Sequence, residues 1–274
     1  MKIGMGLRNM GDVADRATLT DCAQAADSAG IDSLWVFDHV AIPPDEAEGS
    51  GGLYLDPLAT LAYVAGCTRR IGLGTGVLVV PYRPPLITAK WLATIQQLSD
   101  NRLLIGAAPG WMEAEFTALG IDRRSRGRIT DETLDFIHRC FSDDHNSANG
   151  QPFLFRPRPP RPPIFVGGDG EHAIERALKL GDGWIPIGKK PEELPPVIAD
   201  CRQRAAAAGK ADPQIVTFSR LNSDDLGEAE ATIAGFADAG VDRLVWICPY
   251  ESADHCRSEL DKMQPLVAGQ GASA

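Results

Sequence analysis

Ile71-Gly72-Leu73-Gly74-Thr75-Gly76-Val77-Leu78-Val79-Val80-Pro81 is the stretch on which the reading of this chain turns. Branched aliphatic residues in a short run, followed by Pro81 and Arg83, read as a buried strand. Glycine weakens a strand unless the backbone bulges there or another group must come close. Side chains alternate along a strand, so Gly72, Gly74 and Gly76 leave one face bare. Two readings stay open. Either a flat ring rests on exposed main chain near Thr75-Gly76-Val77, or this is a barrel strand whose glycines face a crowded helix.

Outward from this stretch, strands and helices alternate. Strands are predicted at residues 2–7, 33–37, 102–106, 164–166, 184–187, 214–219 and 243–248, which with the glycine strand makes eight. Helices are predicted at 16–29, 57–68, 86–99, 112–119, 129–141, 171–180, 191–208, 225–239 and 252–266, with Gly30 as a stop and Asp56 as an N-cap. Such alternation implies parallel strands with right-handed crossovers. The fold class is therefore α/β, and eight units in 274 residues favour a closed (β/α)8 TIM barrel over an open sheet. Residues 142–163 interrupt the rhythm: a polar, then proline-dense excursion with a small hairpin at 153–155. Residues 40–56 form a long glycine-containing loop, expected to be mobile and functional. The expected organisation is one domain over 1–267 and a flexible tail over 268–274.

Composition narrows the function. A hydrophobic share of 44% and a charged share of 23% describe an ordinary globular protein. A net charge of -10 argues against nonspecific nucleic-acid binding, yet leaves room for a local anion site. The six cysteines are scattered without a C-x-x-C pair and read as reduced core residues. There is no leader-like start and no apolar run of the roughly 18 residues that span a bilayer. The expectation is a cytoplasmic protein with no membrane partner.

In a barrel, chemistry sits at the C-terminal strand ends. Those ends carry Asp38 and His39, Thr75-Gly76-Val77, Ala107 to Trp111, Gly167-Gly168, Arg220 and Tyr250. No metal-ligand spacing and no G-x-S-x-G elbow appear, so a metal site and hydrolase chemistry are unsupported; a strand-end lysine for an aldolase is also missing. His39 is the candidate catalytic residue, because an imidazole can both take and give a proton. The alternative is a histidine bonded to its loop. Gly167-Gly168, between a strand and a helix, offers backbone N–H groups to an anion, or is simply a tight turn. Trp111 can wall a ring pocket, Trp184 less so, and Trp35 and Trp246 read as core. The basic run Arg123 to Arg128 reads as a solvated helix entry.

Together these stretches resemble the bacterial luciferase-like superfamily, and within it the flavin- and deazaflavin (coenzyme F420)-dependent oxidoreductases. The matching pieces are Leu34 to His39, Gly72 to Leu78, Ala89-Lys90 through Ser99, Arg102 to Gly106 with Gly110-Trp111, Glu115-Phe116 with Leu119-Gly120, Arg126-Gly127-Arg128 with Asp131-Glu132, Pro163 to Gly168, and Gly181 to Trp184. The resemblance implies a barrel with the ring at its mouth and a non-proline cis peptide at Gly76-Val77 backing that ring. It implies Gly167-Gly168 on the phosphate and His39 beside the reactive ring. Asp38, Thr75, Ala107, Gly110 and Trp111 then complete the cofactor surface. Two departures stand out: Ala107-Ala108-Pro109 replaces the usual glycine-rich loop, and Trp111 stands where some relatives place a glutamate. Glu113 and Glu115 fall on the next helix and are not assigned its role. The implied activity is F420-dependent hydride transfer to or from a small organic substrate, in a homodimer. The alternatives are an FMN-dependent monooxygenase and a non-catalytic flavin-binding barrel.

Overall fold

Eight parallel strands close into a barrel in a computed structural model that describes residues 1–268. In chain order the elements are β1 (Lys2–Gly6), α1 (Arg16–Ala29), β2 (Ser33–Val36), α2 (Pro57–Cys67), β3 (Gly72–Val79), α3 (Pro85–Leu98), β4 (Leu103–Ala108), α4 (Glu113–Ala118) and α5 (Arg126–Ser142). There follow β5 (His145–Ala148), β6 (Gln151–Leu154), β7 (Ile164–Gly167), α6 (Glu171–Leu180), β8 (Gly183–Ile185), α7 (Leu194–Ala207), β9 (Gln214–Ser219), α8 (Leu226–Asp238), β10 (Arg243–Trp246) and α9 (Ala253–Ala268). Around the barrel the order is β1-β10-β9-β8-β7-β4-β3-β2, and β1 pairs with β10 to close it. The expected tail over 268–274 lies outside the described residues, except that Ala268 ends α9.

Local chemistry sets the boundaries. Asp15 and Asp56 cap α1 and α2 by accepting from two backbone N–H groups each. Gly30 stops α1 in the left-handed conformation, φ 84°. The excursion does contain a hairpin, but it is β5 with β6, earlier than the predicted position. Its turn is Asn149-Gly150, at φ 51° and 78°; two positive φ values in a row are what an Asn-Gly pair tolerates. The proline run after it stays outside the barrel, where Gln96 donates to the Pro160 carbonyl at 3.0 Å. α5 begins at Arg126, inside the basic run and not after it.

Two cores hold the barrel. The larger packs helices onto the outward strand residues, such as Leu34, Leu73, Ile105 and Val166. The smaller fills the interior with Trp35, Phe165, Ile185, Val216 and Val245, backed by Phe218 and Leu104. This second core corrects the reading of the glycine row. A Cβ on Gly74 would lie 2.4 Å from the Trp35 ring, and one on Gly76 would lie 2.7 Å from Phe218. At Gly74 and Gly76 the bare face makes room for interior aromatics, not for a helix, and of the three glycines Gly76 alone also lines a cavity. Trp35, Trp184 and Trp246 are all fully buried.

Candidate active site

Exposed main chain survives at one point of β3, where its pairing with β4 slips. Thr75 faces Ile105 and Leu78 faces Ala107, so β3 carries one extra residue across Gly76 and Val77. Such a bulge re-aims the strand at its rim. The Gly76-Val77 peptide is cis. Above it opens a cavity of about 480 Å³ at the C-terminal ends of β2, β3, β4 and β7. Phe37, His39, Val77, Tyr82, Pro109, Trp111, Gly168 and Ile187 are among its walls. Gly110 turns the chain there at φ 79°, and a Cβ on it would come within 2.5 Å of Val79. A wider groove of about 1010 Å³ runs along the outer wall between α1 and α2 and shares no residue with this cavity.

His39 does not stand alone. Its Nδ1 lies 3.1 Å from Oε2 of Glu115, on the short helix α4. Glu115 is fully buried. The same Oε2 accepts from the Tyr82 hydroxyl at 2.7 Å, while Oε1 accepts from the backbone N–H groups of Val40 at 2.5 Å and Ala41 at 3.0 Å. Burial alone would raise this carboxyl, but the Ala41 amide, the Tyr82 hydroxyl, the Val40 amide and His39 hold it below the usual carboxylate range. An ionised Glu115 can only accept, so Nδ1 carries the proton and donates. Nε2 of His39 is then the nitrogen left for proton transfer. The His39 ring also packs 4.9 Å from Tyr54 and meets Trp111 edge-on at 6.4 Å. Burial, reinforced by the Glu115 carboxylate, pushes the Tyr82 phenol far above its ordinary range.

Asp38 belongs to the frame of the site. Its Oδ2 accepts from the Val79 N–H at 2.9 Å, and Arg83 grips both oxygens at 2.7 and 2.9 Å. Arg83 also reaches Asp56, the cap of α2, at 2.7 Å. Burial disfavours the Arg83 charge, and its bonds to Asp38 and Asp56 outweigh that and raise its ionisation further. The end of β2, the far side of the bulge and the start of α2 are thus tied through one guanidinium. The loop after His39 is tied down as well: Tyr54 bridges Met10, and Leu55 N–H donates to the Asn9 carbonyl at 2.8 Å.

Beside the cavity, and sharing Pro109, Gly110, Gly167 and Gly168 with it, lies a groove walled by Arg124, Arg126, Arg128 and Arg176. Arg128 pairs with Glu132 and Arg176 with Asp131. Among the described residues, no carboxylate pairs with Arg124 or Arg126. The N-terminus of α6 opens into this groove, and its cap residue Gly170 supplies no side-chain acceptor. Unpaired N–H groups at a helix start favour an anion. The basic run, read from sequence as a solvated helix entry, therefore borders the site.

Of the residues singled out from sequence, Asp38, His39, Gly76, Val77, Gly110, Trp111, Gly167 and Gly168 all line the cavity. Thr75 and Ala107 do not: both are fully buried below it, and Thr75 Oγ1 donates to the Gly106 carbonyl at 2.7 Å. Gly168 N–H is already given to the Ile185 carbonyl at 3.2 Å, so anion donors here come from the first turn of α6. Trp184 is core and donates its indole N–H to the Gly168 carbonyl. Glu115, Tyr82 and Arg83 were not selected; their roles depend on contacts spanning 33 to 76 residues, which no local spacing encodes. Among the described residues no cluster of three or more metal-ligating side chains gathers, and no helix is long and apolar enough to cross a membrane. The cavity over Val77 has the volume a flat ring needs, and the groove beside it at the start of α6 carries the arginines.

Comparison with known proteins agrees with this architecture. The chain is 26% identical over 266 residues to an uncharacterized protein of Mycobacterium tuberculosis, covering 90% of this chain and 92% of that one. It is 29% identical over 178 residues to an FMNH(2)-dependent dimethylsulfone monooxygenase of Pseudomonas putida, covering 61% of this chain and 49% of that one. Among solved structures, the monooxygenase RslO1 from Streptomyces bottropensis superposes with a TM-score of 0.83 at 20% identity, over 99% of this chain and 100% of that one. An F420-dependent secondary alcohol dehydrogenase, solved with an F420-acetone adduct, superposes with a TM-score of 0.77 at 16% identity, over 97% and 98% of the two chains. The model of the luciferase-like monooxygenase family matches residues 3–259, and the chain belongs to that family of oxidoreductases.

Proposed function

We propose that this protein moves a hydride between coenzyme F420 and a small organic substrate, with His39 as its proton-handling residue. The observation that carries the reading is the buried Glu115 carboxylate bonded to His39 Nδ1 at the edge of a cavity floored by Gly76 and Val77. Val77, Gly110 and Gly168 would hold the ring, and the start of α6 with Arg124 and Arg126 would hold its anionic tail. When bound, the deazaflavin supplies or accepts the hydride. His39 Nε2 takes the hydroxyl proton of an alcohol as it is oxidised, or returns one to a carbonyl as it is reduced. Glu115 fixes the tautomer that leaves Nε2 free, and Tyr82 fixes Glu115. The loop over residues 40–56 shields this edge from water.

Arg124 and Arg126, without carboxylate partners among the described residues and next to an open helix start, suit an anionic tail, and the F420 reading runs that tail along them. The FMN reading has its own support, including the 29% identity to an FMNH(2)-dependent monooxygenase. Titrating the purified protein with each cofactor tests the choice. Tight F420 binding with weak FMN binding is expected. Tight FMN binding without F420 affinity would make the protein an FMN monooxygenase, and binding of neither would favour a non-catalytic barrel.

A further inference from the structure

We propose that Cys22 and Cys256 form an oxidation site: a buried thiol pair that a peroxide converts to a disulfide, stapling the seam where the barrel closes. The site lies outside the barrel mouth and stands apart from the cofactor reading above.

α1 follows β1 and α9 follows β10, the two strands whose pairing closes the barrel. Cys22 lies on the buried face of α1, beside Leu19, Ala23 and Ala26. Short side chains such as these let a second helix come close. Cys256, in the opening turn of α9, is fully buried like Cys22, and the two side chains are hydrogen-bonded to each other. None of the other four cysteines is bonded to a second thiol. A neighbouring contact fixes the register of the crossing: Arg257 Nη1 donates to Asp21 Oδ2 at 3.2 Å. Thiols already in hydrogen-bond contact need only a small rotamer change to reach bonding distance. The two sulfurs differ in chemistry. The bond from the Cys256 thiol, helped by Tyr250 and Arg257, holds Cys22 below the usual thiol range against its burial, while Cys256 is pushed far up. Cys22 is therefore the attacking sulfur. It takes one peroxide oxygen, the O–O bond breaks, and the departing hydroxide leaves as water with the Cys22 proton. The Cys256 sulfur then attacks this sulfenic acid, the S–O bond breaks, and a second water leaves with the Cys256 proton. Two thiols lose two electrons and one peroxide becomes two waters. Full burial limits the oxidant to a molecule as small as peroxide.

The test treats the folded full-length protein with hydrogen peroxide, blocks the remaining thiols, and maps the digest by mass spectrometry without reductant. Thermal unfolding is followed on the same samples. The peptides that hold Cys22 and Cys256 are expected joined, two hydrogens lighter than their sum, and separable by dithiothreitol after unfolding. The melting temperature is expected to rise by about 4–10 °C, because a cross-link from α1 to α9 closes nearly the whole chain into one loop and restricts the unfolded state. Cys22→Ala and Cys256→Ala should each abolish both the joined peptide and the rise, and Cys248→Ala should keep both. Should either alanine variant fail to fold, the peptide map and the melting shift of the unaltered protein decide the matter by themselves. Cys22 and Cys256 still free after peroxide, a bond to Cys248 in place of the pair, or a joined peptide with an unchanged or lowered melting temperature would overturn the inference.

Discussion

On the α6 side of the barrel mouth the chain presents arginines without carboxylate partners; on the α4 side it presents a carboxylate whose acceptors are all in use. The first side is open, and its charge reaches outward. The second is buried, and its charge is turned inward on His39. Exposed charges act at a distance and are screened by salt. A buried, hydrogen-bonded charge acts only on what touches it and fixes one geometry. One mouth therefore offers open positive charge on one side and a fixed, hydrogen-bonded imidazole on the other.

The division makes its strongest demand on His39. His39→Ala is expected to lower turnover by about 10²- to 10⁴-fold. Cofactor affinity should stay unchanged, since the groove is untouched; steady-state kinetics alongside a cofactor titration checks both. Next comes the frame shared by both sides. Arg83→Leu strands the buried Asp38 carboxylate and should cost about 3–5 kcal/mol in denaturant unfolding. Glu115→Gln keeps the shape but can no longer hold His39 in one tautomer, and kcat is expected to fall about 10- to 100-fold with cofactor affinity retained. The double variant Arg124→Ala/Arg126→Ala should do the opposite: cofactor binding about tenfold weaker at low salt, a smaller salt dependence, and kcat at saturation unchanged. If it lowers kcat and spares affinity, the two sides have been assigned the wrong way round.

The smallest effect lies in acid. Glu115 is held below its ordinary range in the folded protein, so its contribution to stability is complete above the unfolded value of about 4.3. That contribution is lost as pH falls through the lower folded value. Unfolding measured from neutral pH downward should show the wild type's advantage over Glu115→Gln shrinking below about pH 5.

The barrel itself was legible in the sequence because short apolar runs alternate with helical patterns, a signal repeated eight times. His39, Gly76-Val77 and Gly167-Gly168 were legible because strand ends are where a barrel keeps its chemistry. The glycine row was legible only in part: spacing reveals which face is bare, not that Trp35 and Phe218 arrive to fill it along Gly74 and Gly76. Glu115 was seen as a helix residue and left unassigned, since its burial depends on Tyr82 and the Val40 amide, distant in the chain. Thr75 and Ala107 stand at strand ends in the sequence, yet both are fully buried and neither lines the cavity, a difference of depth that strand position alone does not encode.

The most direct test is a crystal structure of the protein with coenzyme F420. The expected result is a ring lying over Gly76-Val77 with its edge facing His39 and its tail running past the start of α6 between Arg124 and Arg126. A ring bound elsewhere, or a tail directed away from the arginines toward the loop over residues 40–56, would contradict the division of the mouth.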